Sequence, residues 1–66
     1  MYTLIFWLSF ISYSDQVVVE THKYQSYNSY EECRGHYEDA ENYAQSLANS
    51  NLSKFEWVKV DCVHTN

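Results

Sequence analysis

The stretch from Tyr2 to Ile11 constrains the fold more than any other part of this chain. It is rich in strand-forming residues and contains neither glycine nor proline. Successive side chains of an extended strand point to opposite faces, and here both faces carry apolar bulk. That pattern is typical of a strand in the middle of a sheet. One face carries Leu4, Phe6, Leu8 and Phe10, and the other carries Ile5, Trp7, Ser9 and Ile11.

A second strand is predicted from Gln16 to Tyr24. This segment follows a polar break at residues 12–15 and contains a run of three valines, which are strong strand formers. A β-hairpin is the simplest connection to the first strand. Residues 25–28 are interpreted as the crossing from this strand to a helix.

The helix is predicted to begin near Ser29, because Ser29 and Glu32 fit a capping box. Residues 49–51, Asn-Ser-Asn, are expected to end it, with an asparagine as the cap. Gly35 falls on the solvent side, where we expect it to weaken the helix by about 1 kcal/mol. Side chains at spacings of three and four form the predicted buried stripe, which is Tyr30, Cys33, Tyr37, Ala40, Tyr43, Ala44, Leu47 and Ala48.

A third strand is predicted from Phe55 to Val63, where apolar residues alternate again. The predicted fold is a single α+β domain over residues 1–66 with ββαβ order. Its three-stranded antiparallel sheet has the order 2-1-3, and one helix packs on one face. In the third strand, Val58, Val60 and Cys62 share one face, and Phe55, Trp57, Lys59, Asp61 and Val63 share the other.

The charge of the chain limits its partners. The formal net charge is −5, from four basic and nine acidic residues. Such a chain repels the phosphate backbone, so we expect no direct nucleic-acid binding and consider a basic partner protein more suitable. The apolar run near the start is far shorter than the roughly 20 residues that span a bilayer. Residues 1–14 end in a small-x-small pattern like a leader cleavage site, but they lack a basic start, so we expect no cleavage and keep residues 2–11 as the first strand.

The two cysteines are expected to approach each other, because the topology places both at the same end of the domain. Two interpretations stay open, a disulfide between Cys33 and Cys62 or a pair of reduced core thiols. The bond would contribute roughly 3–4 kcal/mol in a chain-entropy model. A zinc site that adds His36 and His64 is a third interpretation, but neither spacing matches a zinc knuckle. We expect no metal and no other cofactor, and we interpret His22 as a surface residue.

Nothing in the sequence predicts an active site. No nucleophile stands in a recognisable catalytic motif, and one glycine cannot supply a glycine-rich phosphate cradle. A domain with one thin core also has little room for a pocket. We therefore expect neither enzymatic activity nor a small-molecule substrate.

Two surfaces are predicted to bind another protein or a second copy of the chain. One is the sheet face that the helix leaves uncovered, unless the N-terminus or the tyrosine-rich linker folds over it. The other is the acidic helix face, for which solubility alone is the simpler explanation. The uncovered face would carry Ile5, Trp7, Ile11, Trp57, Lys59, Val63 and Val18, and the helix face would carry Glu31, Glu38 and Asp39.

The chain resembles small uncharacterised proteins of bacteriophages, including phages of marine bacteria. The shared features are an apolar N-terminal strand, a Tyr-x-x-Cys helix start at Tyr30–Cys33, and a final strand bearing one cysteine. The element order and the ending Phe55–Val63 are also similar in layout to the phage T7 inhibitor of bacterial RNA polymerase. The resemblance implies an accessory protein of the bacterial cytoplasm that binds a host protein and inhibits a host enzyme. The alternative is a secreted or periplasmic disulfide-stabilised module, processed near Ser14.

Overall fold

A computed structural model of the chain describes residues 1–49 and 54–65. Within these residues the chain forms three strands and two helices, and the strands make one antiparallel sheet. The elements are β1 (Tyr2–Ile11), β2 (Val17–Tyr27), α1 (Tyr30–Arg34), α2 (Tyr37–Asn49) and β3 (Lys54–His64).

The most apolar strand lies in the middle of the sheet. The strand order is β2-β1-β3, so the predicted α+β class and the order 2-1-3 are confirmed. Phe6, for example, pairs with His22 on one side and Val60 on the other. The phenyl ring of Phe6 is fully buried under the helices, together with the side chains of Leu4 and Leu8. Burial of each such side chain stabilises the fold by about 1.5–3 kcal/mol.

The turn between β1 and β2 contains no glycine and is closed by backbone hydrogen bonds. The Ser12 amide donates to the Gln16 carbonyl oxygen at 2.9 Å, and the Asp15 amide donates to the Ser12 carbonyl oxygen at 2.9 Å. Asp15 has a φ of 62°, a left-handed conformation that aspartate adopts more readily than most residues. The polar break at residues 12–15 is therefore a hairpin turn, as predicted.

The second strand is longer than predicted. The residues just after Tyr24, which we interpreted as a crossing to the helix, continue the strand as far as Tyr27. Tyr27 pairs with Tyr2 and buries its ring against the core, which favours the extended conformation despite the polar neighbours. Tyr24 is the extra residue of a β-bulge, and it also packs against the core.

The helical segment differs from the prediction in being divided into two helices. Ser29 begins α1 as predicted, because its Oγ accepts a hydrogen bond from the Glu32 amide at 3.1 Å. Gly35 caps the end of α1, and the His36 amide donates to the Cys33 carbonyl oxygen at 3.1 Å in a tighter turn. Glycine is a poor helix former, so the helix is interrupted where its propensity is lowest.

The second helix packs on the sheet through small side chains. Ala40, Ala44 and Ala48 are almost completely buried, and their spacing of four places them on one stripe of α2. Tyr43 belongs to the predicted stripe but lies at its border, half-exposed, with its ring 6.1 Å from that of Phe6. The helix ends at Asn49 as expected, and the predicted asparagine cap beyond it lies outside the described residues.

A disulfide joins the first helix to the third strand. Cys33 is fully buried and bonded to Cys62, with 6.2 Å between the Cα atoms. The predicted approach of the two cysteines is thus confirmed, and the disulfide is the interpretation that the structure supports. A loop with a sequence separation of 29 residues is closed by this bond, which corresponds to roughly 3–4 kcal/mol in the chain-entropy model.

Candidate interaction surface

The two helices pack on one face of the sheet and do not cover the other face. We call this second face the open face. Directly opposed residues on antiparallel strands project to the same side, so the strand register identifies the members of this face. β1 contributes Thr3, Ile5, Trp7, Ser9 and Ile11; β2 contributes Val17, Val19, Thr21, Lys23 and Ser26; and β3 contributes Lys54, Trp57, Lys59, Asp61 and Val63.

A bulge in β3 corrects the predicted faces of that strand. Simple alternation places Phe55 and Trp57 together on the open face. In the structure Ser9 is opposite Trp57 and Phe10 is opposite Phe55, so Glu56 is an extra residue between the two pairs. Phe55 therefore turns to the helix side and packs against the core, while Trp57 stays on the open face. The bulge gives each face one of the two aromatic rings.

A second correction concerns the valines of β2. Val18 was predicted on the open face, but it pairs with Phe10 and lies on the helix side. Its neighbours Val17 and Val19 pair with Ile11 and Ser9, and they are 65% and 55% exposed. Because the two valines lie on an edge strand of the open face, they extend its apolar surface beyond the predicted residues.

The two tryptophans differ in exposure. Trp57 is 47% exposed on β3, whereas Trp7 is half-buried in the middle of the face. The Lys59 ammonium lies 5.6 Å from the centroid of the Trp7 ring, a cation–π arrangement that covers part of the indole. The structure thus brings Ile5, Trp7, Trp57 and Lys59 to one face, as predicted, with Trp57 as the ring that a partner could reach.

Small polar residues complete the middle of the open face and are satisfied internally. Ser9 is almost fully buried, and its hydroxyl donates to the Glu56 carboxylate at 2.9 Å. Thr3 is also buried, with its hydroxyl 3.0 Å from that of Ser26 and 3.1 Å from that of Thr65. These hydrogen bonds join the central strand to residues on both sides of it, so the polar groups of the face are satisfied within the chain.

The predicted acidic surface lies on the opposite side of the molecule. Glu31 is on α1, and Glu38 and Asp39 are in the first turn of α2; all three are exposed. The Asp39 carboxylate is 3.0 Å from His36 Nδ1, and the His36 ring stacks on Tyr27 with 4.6 Å between ring centroids. The predicted binding residues therefore form two separate surfaces rather than one site.

The histidines take part in packing and do not join the cysteines. His36 faces Asp39 and Tyr27 as described above, and the His64 ring lies edge-on to Tyr2 at 5.0 Å. A disulfide sulfur is no longer a thiolate ligand, so the zinc interpretation loses Cys33 and Cys62. His22, interpreted as a surface residue, is half-buried and stacks on Phe6 at 5.1 Å.

Burial perturbs two tyrosines at the helix side of the sheet. Burial raises the pKa of the Tyr27 hydroxyl above its ordinary value, and nearby charges add to the effect. Burial likewise raises the pKa of Tyr37, with further contributions from Tyr30 and Asp61 and a partial opposing effect of a hydrogen bond with the Cys62 backbone. Neither hydroxyl lies on the open face, so these shifts concern stability.

Two lysines of the open face were not among the predicted binding residues. Lys23 pairs with Ile5, and Lys54 pairs with Ile11, so both project to the same side as Lys59. The position of Lys23 depends on the bulge at Tyr24, which shifts the alternation of β2 by one residue. A regular strand pattern could not have placed it.

Comparison with protein-family models, curated proteins and solved structures gives no match for this chain. The resemblance to phage proteins therefore stays a prediction. In the described parts of the chain, neither helix has the length and apolar character needed to cross a membrane.

Proposed function

We propose that this chain is a binding module that holds another protein against its open face. The observation that carries the proposal is the group of exposed apolar side chains at the hairpin end of that face. Val17, Val19 and Trp57 are each roughly half-exposed or more, and they flank Ile11 and Ser9 on the central strand. Exposed apolar side chains gathered in one patch mark interaction sites, and tryptophan is enriched at binding hot spots.

The architecture supports the proposal because the face does not depend on a partner for its shape. The core lies entirely on the helix side, and the disulfide ties α1 to β3 behind the sheet. The open-face polar groups of Ser9 and Thr3 already have hydrogen-bond partners within the chain. A preformed surface loses little conformational entropy on binding.

The experiment that tests the proposal is affinity capture with matched variants. Trp57→Ala removes the exposed ring, and Tyr13→Ala is the control, because Tyr13 is 86% exposed in the hairpin turn and lies outside the open face. A bacterial lysate is passed over the wild type and each variant, and bound proteins are identified by mass spectrometry. We expect at least one protein to be retained by the wild type and Tyr13→Ala and lost with Trp57→Ala.

Circular dichroism and thermal unfolding show whether Trp57→Ala is folded. A folded Trp57→Ala variant that captures the same proteins as the wild type would contradict the proposal. The finer prediction, inhibition of a host enzyme, has the resemblance in layout as its support. Assay of any captured enzyme with and without the chain tests it.

The disulfide favours a second candidate, a module that works in an oxidising compartment. Structural disulfides persist in the periplasm and outside cells, whereas cytosolic thiols are kept reduced. Such a module would have to retain residues 2–11, because β1 is the central strand between β2 and β3. Thiol alkylation of expressing cells before lysis, followed by intact-mass measurement, distinguishes the candidates: alkylated Cys33 and Cys62 indicate the cytosol.

A further inference from the structure

The charges of the chain are distributed unequally between its two sides. All three lysines of the sequence, Lys23, Lys54 and Lys59, belong to the open face, and the remaining cation, Arg34, is on α1. The open face has two carboxylates, those of Asp61 and, through its bond to Ser9, Glu56. The other seven carboxylates of the chain lie in the hairpin turn, on the helix side of β2 and on the helices.

The two open-face carboxylates accept hydrogen bonds within the chain, whereas no open-face lysine pairs with a carboxylate in the described residues. Lys59 lies over the Trp7 ring, a contact that does not neutralise its charge. Glu56 accepts the Ser9 hydroxyl at 2.9 Å, and Asp61 Oδ1 accepts the backbone amide of Cys62 at 2.9 Å. Across residues 1–49 and 54–65, ion pairs occur between histidines and carboxylates, and none involves a lysine. The open face therefore presents ammonium groups whose charge is not neutralised by a direct partner.

Two of the three lysines lie apart from the exposed apolar side chains, and the third lies beside them. Val17, Val19 and Trp57 lie toward the hairpin end, where Lys54 pairs with Ile11. Lys23 pairs with Ile5 and Lys59 pairs with Trp7 farther along β1. A partner that covers the whole face must supply apolar groups at the hairpin end and negative charge beside them and farther along β1.

We propose that the partner is a protein segment that carries aspartate or glutamate beside apolar side chains. The inference rests on the proposed function, and it reverses the sequence-based expectation of a basic partner, because that expectation used the net charge of the whole chain. The chain is acidic because of its helix side. Local potential at the contact surface, rather than net charge, determines which partner fits.

Two other occupants fit the open face less well. Two copies meeting through their open faces would place two faces together that each carry more lysines than carboxylates. A head-to-tail contact, with the open face of one copy on the acidic helices of the next, matches the charges but would give an open-ended assembly. A single-stranded nucleic acid could stack on Trp57, but its dense negative charge would meet the seven carboxylates elsewhere on so small a chain. Both occupants are measurable outcomes of the test.

A displayed library of random dodecapeptides tests the proposal. The library is selected on the disulfide-bonded full chain in about 0.15 M salt and depleted on Trp57→Ala. We expect the recovered peptides to be enriched in aspartate and glutamate next to leucine, isoleucine or phenylalanine. For one recovered peptide, the combined variant Lys23→Gln/Lys59→Gln should bind about three- to tenfold more weakly than the wild type. Arg34→Gln, on the other side of the molecule, is the control and should bind equally.

The outcomes separate this inference from the proposed function. Recovered peptides that are neutral or basic but still require Trp57 would overturn the charge inference and leave the proposed function standing. Recovery of no peptide that depends on Trp57 would count against both. Binding of fluorescent oligothymidylate, or a dimer in sedimentation velocity, would overturn the inference in favour of that occupant if Trp57→Ala abolishes it and Tyr13→Ala does not.

Discussion

Phe55 and Trp57 stand two positions apart in β3 and lie on opposite faces of the sheet. In a regular strand, residues at this spacing share a face. The bulge at Glu56 separates them, so that Phe55 fills the core beside Phe10 and Trp57 is left on the open face. The same irregularity supplies both a core residue and the exposed ring on which the proposed binding depends.

The hydrogen bond at this bulge should be measurable as stability. Ser9→Ala removes the hydroxyl that donates to Glu56 at 2.9 Å in a site that is almost fully buried. We expect a loss of about 0.5–1.5 kcal/mol in the free energy of unfolding, measured by urea denaturation. Glu56→Gln is the matched control, because an amide oxygen still accepts the bond, and it should cost less. Equal stability of Ser9→Ala and the wild type would show that the bond does not hold the bulge.

Regular features of the sequence predicted the architecture, and the irregular ones escaped prediction. Alternation in residues 2–11 located the central strand because both of its faces must be covered, and the capping box located the start of α1 at Ser29. The bulge at Glu56 has no local signal such as a glycine, since it depends on how β3 pairs with β1. The break at Gly35 had a signal, low helix propensity, but propensity alone does not decide whether a helix bends or continues.

The same distinction applies to the candidate surface. Trp7, Trp57 and Lys59 were predicted on one face because their positions follow from alternation within each strand. Lys23 was missed, because the bulge at Tyr24 changes the phase of β2. Val18 was predicted on the wrong face. The face of each valine depends on the residue at which pairing between β2 and β1 begins, and the sequence does not show that this residue is Val17.

Removing the disulfide should destabilise the chain strongly. In Cys33→Ala/Cys62→Ala the loop between α1 and β3 is no longer closed, and we expect a loss of roughly 3–4 kcal/mol in the free energy of unfolding. Domains of this size have little stability to spare, so the variant should be partly unfolded at ambient temperature. Urea titrations with and without reductant measure the effect. The double variant also serves as the control for side effects of the reductant. Reductant should lower the free energy of unfolding of the wild type and leave that of the variant unchanged.

The alanine stripe of α2 predicts intolerance to larger side chains. Ala44 is fully buried where the helix meets the sheet, so Ala44→Leu has no space for the added atoms unless the helix moves. We expect a loss of about 1–3 kcal/mol in thermal or urea unfolding. Gln45→Leu adds similar apolar bulk at the next, exposed position and should change stability by less than about 0.5 kcal/mol. Similar losses for both variants would contradict close packing of α2 on β1.

Alkaline pH should destabilise the fold through one buried and one partly buried tyrosine. Burial raises the pKa of Tyr27 and of Tyr37 in the folded state, whereas in the unfolded chain both hydroxyls titrate near pH 10. Below that pH both states keep the protons, and stability does not depend on these groups. As the pH rises through and above about 10, the unfolded state loses its protons first, so the free energy of unfolding falls until the folded hydroxyls also titrate.

Urea denaturation between about pH 8 and pH 11 measures this dependence. Tyr27→Phe and Tyr37→Phe keep the ring and remove the ionisable hydroxyl, so each should flatten the fall in stability above about pH 10. Tyr13→Phe is the matched control, because its ring is 86% exposed in the hairpin turn. If all three variants show the slope of the wild type, the burial of Tyr27 and Tyr37 does not control the alkaline transition. Direct titration of tyrosinate absorbance in the folded chain should show that Tyr27→Phe removes a group that ionises above the ordinary range.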